Sequence, residues 1–160
     1  GTKAVLLSAS ATAPTLPAGY TFKAYLGAIY NTSGGHFITL KQQNNVAWIA
    51  PIADLSAGTQ TVFTAVTLSI PTTAKEAILR LDMVETGGAG GFYYSRVDIA
   101  DVSAGTIVGP WMATIGGGYT AYLSYVRVPI TEAQTAYYKA YNGGGYTLGN
   151  VYIYTMGWVL

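Results

Sequence analysis

The fold is decided by the stretch Ala77–Glu85, whose sequence is AILRLDMVE. Its odd-numbered residues as far as Met83 are all apolar, whereas the even-numbered residues include Arg80 and Asp82. Successive side chains of a β-strand point to opposite faces, so this pattern predicts a strand with one buried and one solvent-facing side. Such a strand is typical of an antiparallel sheet that covers a core on one face only.

The same alternation recurs on both sides of this stretch, interrupted by clusters of Gly, Pro and Asn. The candidate strands are Val5–Ser8, Tyr20–Tyr30, His36–Gln42, Ala47–Ile49, Val62–Ile70, Ile78–Glu85, Phe92–Ile99, Thr106–Val108, Thr120–Val128, Thr135–Ala140 and Val151–Trp158. Turn-forming clusters such as Asn31–Gly35, Gly87–Gly91 and Asn142–Gly145 separate them. We therefore predict an all-β fold, namely a jelly-roll-like antiparallel β-sandwich of about ten short strands that forms a single domain over residues 1–160.

One segment fits two interpretations. Thr131–Gln134 has the residues of a helix capping box, and a helical apolar face could follow it. The next residues also alternate as they would in a strand, and they are rich in Tyr and Thr, which favour strands. Because Pro129 follows a β-run and suggests a turn, we predict a strand over Thr135–Ala140.

Charged side chains are scarce in this chain, at 9% of its residues against roughly 25% in an average soluble domain. Uncharged polar groups or a partner chain must therefore cover much of the exterior. The net charge is +1, and the basic residues from Lys3 to Lys139 form no cluster, which argues against nucleic-acid binding. The chain has no run of about 18 apolar residues, so we expect no membrane insertion.

The C-terminal strand departs from the one-sided pattern. From Tyr146 to Leu160 both faces are free of charged residues. A strand that is apolar on both faces lies either between two layers of one chain or against another subunit, and the pattern leaves both possibilities open. If another subunit covers it, the expected interface residues are Tyr152, Tyr154 and Trp158.

The sequence carries no recognisable catalytic machinery. It has no Cys and one histidine, His36, with no local acid and nucleophile to form a triad, and this composition cannot form a typical zinc site. Arg80 and Asp82 share one side of their strand, as do Arg96 and Asp98, which favours cross-strand ion pairing over catalysis. We predict that the protein is not an enzyme and uses no cofactor and no metal.

Aromatic residues are the positive signal for binding. Tyr and Trp give rigid, amphipathic contact area, and sugar rings stack on them for the same reason. The candidate ligand-binding residues are Trp111, Tyr119, Tyr93, Tyr94 and Tyr122. Trp111 follows Pro110 and Tyr119 follows three glycines, so these two are the expected exposed loop aromatics. The alternative for the group as a whole is a role in the core or in subunit contacts.

Both ends of the chain resemble the C-terminal domains of bacteriophage tail-fibre and tailspike proteins. The resemblance rests on Leu16–Thr21, Gly27–Gly35, Phe37 and Gln42–Gln43 near the start, and on Val128–Thr131, Gln134–Tyr138 and Met156–Trp158 near the end. It implies a jelly-roll-like domain, usually trimeric, that caps a fibre and contacts the host surface. Residues 1–15 would then be a linker or a first strand from a longer fibre protein.

On this resemblance, the expected function is that of a receptor-binding tip domain. The domain would act as a homotrimer on the virion, outside the cell, and would recognise a bacterial surface polysaccharide or another cell-surface receptor. Two alternatives stay open: a monomeric carbohydrate-binding module of a larger enzyme, and a structural trimerisation cap without a receptor role.

Overall fold

The computed structural model describes residues 6, 13–22, 24, 27–32, 34–86, 92–103, 111–115, 120–143 and 147–160. These residues form nine strands and no helix, so the all-β prediction is confirmed for this part of the chain. The strands are β1 (Leu40–Gln43), β2 (Val46–Gly58), β3 (Thr64–Thr67), β4 (Glu76–Thr86), β5 (Phe92–Ala100), β6 (Trp111–Ile115), β7 (Thr120–Pro129), β8 (Thr135–Gly143) and β9 (Thr147–Val159). The predicted number of about ten is slightly too high for the described residues. Two strands, β2 and β9, are long rather than short, at 13 residues each.

The strands form two antiparallel sheets. The five-stranded sheet has the order β1-β2-β9-β4-β7, and the four-stranded sheet has the order β3-β8-β5-β6. One cluster of buried residues contains side chains from both sheets, so the sheets face each other across a shared core, as in a β-sandwich.

The predicted apolar face of β4 is confirmed. Its members Ala77, Leu79, Leu81 and Met83 are fully buried. The four-stranded sheet meets them with Val97 and Ile99 from β5 and with Ala136, Tyr138 and Ala140 from β8. Because full burial of one large aliphatic side chain is worth roughly 1.5–3 kcal/mol, this double layer is the main source of stability.

The outer strands β1 and β7 form the two edges of the five-stranded sheet. β1 and β2 make a tight hairpin, in which Asn44 adopts a positive φ of 54°. Asparagine tolerates this left-handed conformation better than most residues, which explains why a turn forms at Asn44–Asn45.

The two uncharged sides of strand β9 lie in different surroundings. Val151, Ile153 and Thr155 are buried in the core, whereas Tyr152 and Tyr154 on the opposite side are only partly covered. The strand is therefore central within its own chain, between β2 and β4, and it also contributes tyrosines to an outward face.

A bulge near the end of β9 changes which residues face the core. Ile78 pairs with Gly157 while its neighbour Leu79 pairs with Thr155, so β9 has one extra residue at this point. A bulge of this kind reverses the alternation that follows it, and Trp158 is fully buried in the core. The prediction of Trp158 at an oligomer interface was wrong, because its indole has no surface left for a partner chain.

Gly157, next to this bulge, lies very close to the neighbouring strand β2. A Cβ atom at this position would collide with the backbone carbonyl oxygen of Ala47 on β2. A side chain here would have to displace the main chain of the neighbouring strand, so the close approach of β2 and β9 requires glycine.

The segment before β8 is a turn, and the strand interpretation of Thr135–Ala140 is confirmed. Gln134 has a φ of 57°, which a helix does not allow. Its carbonyl oxygen accepts a hydrogen bond from the amide of Leu68 at 2.7 Å, and its side-chain amide donates to the carbonyl of Ile70 at 2.6 Å. The turn thus fixes the chain that leads from β3 to β4.

Structure and prediction differ most in the first forty residues. The turn at Leu16–Thr21 forms, with the amide of Tyr20 donating to the carbonyl of Pro17 at 3.2 Å and Gly19 at a φ of 86°. The described residues of the predicted strand Tyr20–Tyr30 form no strand. A single bridge follows, between Asn31 and Phe37.

Other predicted boundaries shift as well. The strand predicted over His36–Gln42 begins only at Leu40, and the one predicted over Val62–Ile70 covers only Thr64–Thr67. The predicted strand Thr106–Val108 lies outside the described residues, as does Val5–Ser8 apart from Leu6.

Candidate functional site

The outward side of the five-stranded sheet carries large apolar side chains around an ion pair. They are Leu123 and Tyr125 on β7 and Tyr152 and Tyr154 on β9, and together they are called the aromatic face. Strand β4 runs between them and places Arg80 level with Tyr125 and Tyr154. In the same way, Asp82 lies level with Leu123 and Tyr152.

The aromatic face is more exposed than its apolar character would suggest. Tyr125 is 59% exposed and Leu123 is 56% exposed, while the two tyrosines of β9 are partly covered. The solvent-facing side of an antiparallel sheet is usually polar. Exposed apolar side chains on such a face make it a candidate interaction surface.

The ion pair in the middle of this face is formed along one strand. The Arg80 guanidinium lies 3.0 Å from the Asp82 carboxylate, and its central carbon lies 4.0 Å from the centre of the Tyr154 ring. The predicted cross-strand pairing was therefore wrong for these two residues, which pair with each other at positions i and i+2. The two charges cancel, so the centre of the face attracts neither cations nor anions strongly.

The four-stranded sheet carries a similar pair on its outward side. The Arg96 guanidinium makes two contacts with the Asp98 carboxylate, at 2.6 and 2.8 Å, and here too the pairing runs along one strand rather than across strands. The Asp98 side chain is only 2% exposed. Arg96 also lies over the ring of Tyr141, at 5.6 Å from its centre.

A hollow of about 280 Å³ lies on the β1–β2 hairpin, at the edge of the five-stranded sheet away from β7. We call it the edge hollow. Its lining residues are Thr39, Leu40, Lys41, Trp48, Ile49 and Ala50. Lys41 and Trp48 pair directly across the two strands, and the Trp48 side chain is 45% exposed.

Sequence reasoning missed Trp48 as a site residue. Trp48 lies within the predicted strand Ala47–Ile49, so the alternation placed its side chain on the opposite face from those two residues. Only the burial of Ala47 in the structure shows that the face of Trp48 is the outward one.

The structure brings together some of the predicted ligand-binding residues and separates others. Tyr93 and Tyr94 lie on β5 beside β6, which begins at Trp111, so these three occupy neighbouring strands of the four-stranded sheet. Trp111 thus starts a strand that the sequence did not predict, rather than lying in a loop. Tyr122 lies on β7 in the other sheet, opposite Met83, and Tyr119 lies outside the described residues.

Asp54 is the acidic residue whose pKa the fold changes most clearly. It lies on β2, where its carboxylate accepts hydrogen bonds from the amide of Ser69 at 3.1 Å and from the hydroxyl of Thr155. Burial raises the pKa of Asp54 above its ordinary value, and the bonds from Ser69 and Thr155 oppose this rise only in part. The arrangement provides a partner for the fully buried Thr155 and ties β2 to the chain after β3.

His36 is exposed and lies at the end of a short turn. Its carbonyl accepts hydrogen bonds from the amide and the hydroxyl of Thr32, at 3.0 and 3.2 Å. Within the described ranges, no three His, Cys, Asp or Glu side chains come together as a metal site would require. Nor does this part of the chain contain a helix with the length and apolar character needed to cross a membrane.

Comparison with known proteins adds no identification. No protein-family model matches the chain, and no curated protein matches it. The resemblance to tail-fibre domains therefore stays a prediction that rests on the residues quoted for it.

Proposed function

We propose that the chain is a tip domain of the tail-fibre type, which associates as a homotrimer through the aromatic face and recognises a bacterial surface glycan. The observation that carries the proposal is the exposure of Leu123 and Tyr125 beside the Arg80–Asp82 ion pair, whose two charges cancel. Burying such side chains between subunits is favourable, at roughly 25 cal/mol per Å² of apolar surface removed from water. The number of subunits and the virion location come from the resemblance.

The strand order supports the jelly-roll part of the proposal. Strands β2 to β9 are distributed over the two sheets in the orders β2-β9-β4-β7 and β3-β8-β5-β6. Two Greek keys wound together produce this distribution, and β1 then adds one strand at the edge. Jelly rolls are common in capsid and lectin domains, which work by presenting surfaces.

Light scattering on the purified protein tests the association. We expect the wild-type protein to have three times the mass of one chain. The double variant Leu123→Ser, Tyr125→Ser should shift this mass towards that of the monomer. The matched control is Tyr141→Ser, because Tyr141 is an exposed tyrosine on the other sheet. A wild-type monomer, or a trimer unaffected by the double variant, would overturn the assignment of the interface.

The exposed ring of Tyr125 also favours a second candidate function. Tyr125 stands on an open sheet surface beside Arg80, and aromatic rings with a neighbouring donor also suit the faces of sugars. In a monomeric carbohydrate-binding module, the aromatic face would itself hold the glycan. Such a protein would be a monomer, and Tyr125→Ala would abolish glycan binding without changing the mass.

Binding to intact host cells or to a glycan array separates the tip domain from a structural cap. A tip domain binds in at least one of these assays, whereas a trimeric cap without a receptor role binds in neither. A trimer without binding would retain the association part of the proposal and overturn the receptor part.

A further inference from the structure

We propose that the edge hollow is a subsite for a uronic acid, a hexose that carries a carboxylate. The inference rests on the proposed glycan recognition and names the place and the class of sugar that it would use. It is carried by the shape of the hollow, by the exposed indole of Trp48 and by the ammonium group of Lys41, which pairs with Trp48 across the hairpin.

The indole supplies the apolar part of the subsite. Trp48 is 45% exposed on a strand whose preceding residue, Ala47, is fully buried, so the backbone holds its position rigidly. A pyranose ring has one flat face of C–H groups, which can be laid on an indole with loss of water from both surfaces. Thr39 and Ala50 also line the hollow, whereas the side chains of Leu40 and Ile49, which pair on the opposite face of the hairpin, pack against the core.

Lys41 supplies the charge. Residues directly opposite in an antiparallel pair have side chains on the same face, with Cβ atoms roughly 4.5–5.5 Å apart. The ammonium group of Lys41 can therefore reach the rim of a sugar ring that is stacked on Trp48. In the described part of the chain Lys41 makes no ion pair, as is also the case for Lys75 and Lys139, whereas Arg80, Arg96 and Arg127 are each matched with an acid. What sets Lys41 apart is its position opposite Trp48.

The size of the hollow and its single charge restrict the ligand. About 280 Å³ is slightly below the range of roughly 300–1,000 Å³ for small-molecule sites, so the hollow has room for one or two sugar rings. A nucleic acid would need several cations in a row, which the hairpin does not provide. One cation next to one flat ring instead fits one carboxylate on one sugar.

The location of the edge hollow is compatible with the proposed association of subunits through the aromatic face. β1 is one edge of the five-stranded sheet, and β7, which carries Leu123 and Tyr125, is the other. The aromatic face extends from β7 to β9, and the hollow lies on β1 and on the start of β2, the neighbour of β9. Trp48 is level with Gly157, whereas Tyr154 is level with Ala53, so the hollow and the aromatic face are offset along the strands. Variants at Trp48 and at Tyr125, which lie three strands apart, therefore test the two surfaces separately.

The test measures binding of glucuronate, galacturonate and mannuronate disaccharides, and of their neutral hexose counterparts, by calorimetry on the full chain. We expect the wild-type protein to bind at least one uronate disaccharide, and to bind its neutral counterpart about tenfold more weakly. Trp48→Ala should weaken uronate binding at least tenfold. Lys41→Gln should weaken it about threefold to tenfold and remove most of its dependence on salt.

The matched controls lie on the other sheet. Tyr141→Ala and Lys139→Gln remove an aromatic ring and a charge from neighbouring positions of β8, and both should leave the affinity unchanged. Trp48→Phe keeps a smaller ring and should retain part of the affinity, which guards against a folding defect in Trp48→Ala. Thermal unfolding of each variant checks that the fold is intact.

The outcomes separate the two proposals. If no uronate binds while host cells or neutral glycans are bound, the subsite is wrong and the tip-domain function stands. Uronate binding that survives Trp48→Ala also overturns the subsite. If the trimer binds neither cells nor any glycan, the receptor function fails, and the subsite fails with it.

Discussion

The two outward faces of the sandwich carry the same short pattern, Arg-x-Asp, in different surroundings. On the four-stranded sheet, Arg96 holds Asp98 by two contacts, and that carboxylate is 2% exposed. On the five-stranded sheet, the nearest contact between Arg80 and Asp82 is 3.0 Å, and the Asp82 side chain is 23% exposed. One pair is part of the packed structure, while the other lies within an open surface.

This difference has consequences for stability and for the charge of each face. A buried acid with two close contacts is fixed by its neighbours, and its loss leaves an uncompensated charge. A partly exposed pair contributes little to stability, but it neutralises the centre of the aromatic face. The open face can therefore be covered by another molecule without burying a net charge.

The largest expected effect comes from Gly157→Ala, which disturbs the close approach of β2 and β9. The new methyl group meets the carbonyl oxygen of Ala47, and neither backbone can move without breaking the ladder between β2 and β9. We expect a loss of more than about 3 kcal/mol in the free energy of unfolding, or failure to fold. Urea denaturation at one fixed protein concentration measures it.

Gly35→Ala is the control for this variant. Gly35 is exposed, at a φ of 74°, and a Cβ there would meet no atom within 4 Å, in contrast to the buried Gly157. Its cost should be limited to backbone strain, about 1 kcal/mol. Equal losses for the two variants would mean that close packing against β2 does not explain the glycine at position 157.

A smaller effect distinguishes the two ion pairs. Asp98→Ala leaves the mostly covered Arg96 without its carboxylate, so we expect a loss of about 2 kcal/mol in the free energy of unfolding. Asp82→Ala removes a partly exposed carboxylate from Arg80, which keeps its contact with Tyr154, and should cost about 0.5 kcal/mol. Denaturation curves of the two variants under the same conditions test the order, and a larger loss for Asp82→Ala would contradict it.

The contrast between the faces also shows what could be predicted from the sequence. The alternation at Ala77, Leu79, Leu81 and Met83 was sufficient to predict β4 and its buried face, because a regular strand has a fixed period. The same reasoning failed at Trp158, because the bulge before it depends on how closely β2 approaches Gly157. No local pattern encodes that approach.

The candidate site was harder to predict for a related reason. The aromatics chosen from the sequence were those near glycine clusters, but the exposed rings of the described residues include Trp48 and Tyr125, both within strands. The length of β2 was hidden because Pro51 and three register shifts interrupt its alternation. The outward placement of Tyr152 and Tyr154 was visible from their parity, although what covers them was not.

The smallest expected effect comes from Asp54. Its carboxylate accepts hydrogen bonds from Ser69 and Thr155 but forms no ion pair in the described part of the chain. Burial raises its pKa in the folded protein above the ordinary value of 3.8, so the folded state binds the proton more tightly than the unfolded chain does. Its contribution to stability is therefore fully present below pH 3.8 and is lost as the pH rises through the raised pKa. Asp54→Asn keeps an acceptor for the amide of Ser69 but does not titrate.

The measurement is the free energy of unfolding of the wild-type protein minus that of Asp54→Asn, taken at several pH values between about 3 and 7. We expect this difference to decrease as the pH rises, because only the wild-type protein has to bury the ionised carboxylate. Asp101→Asn, in the turn after β5, is the control for the loss of one negative charge elsewhere in the chain. A difference that is constant across this range would mean that Asp54 has the same proton affinity in the folded and unfolded states. The hydrogen bonds from Ser69 and Thr155 would then compensate fully for the burial of Asp54.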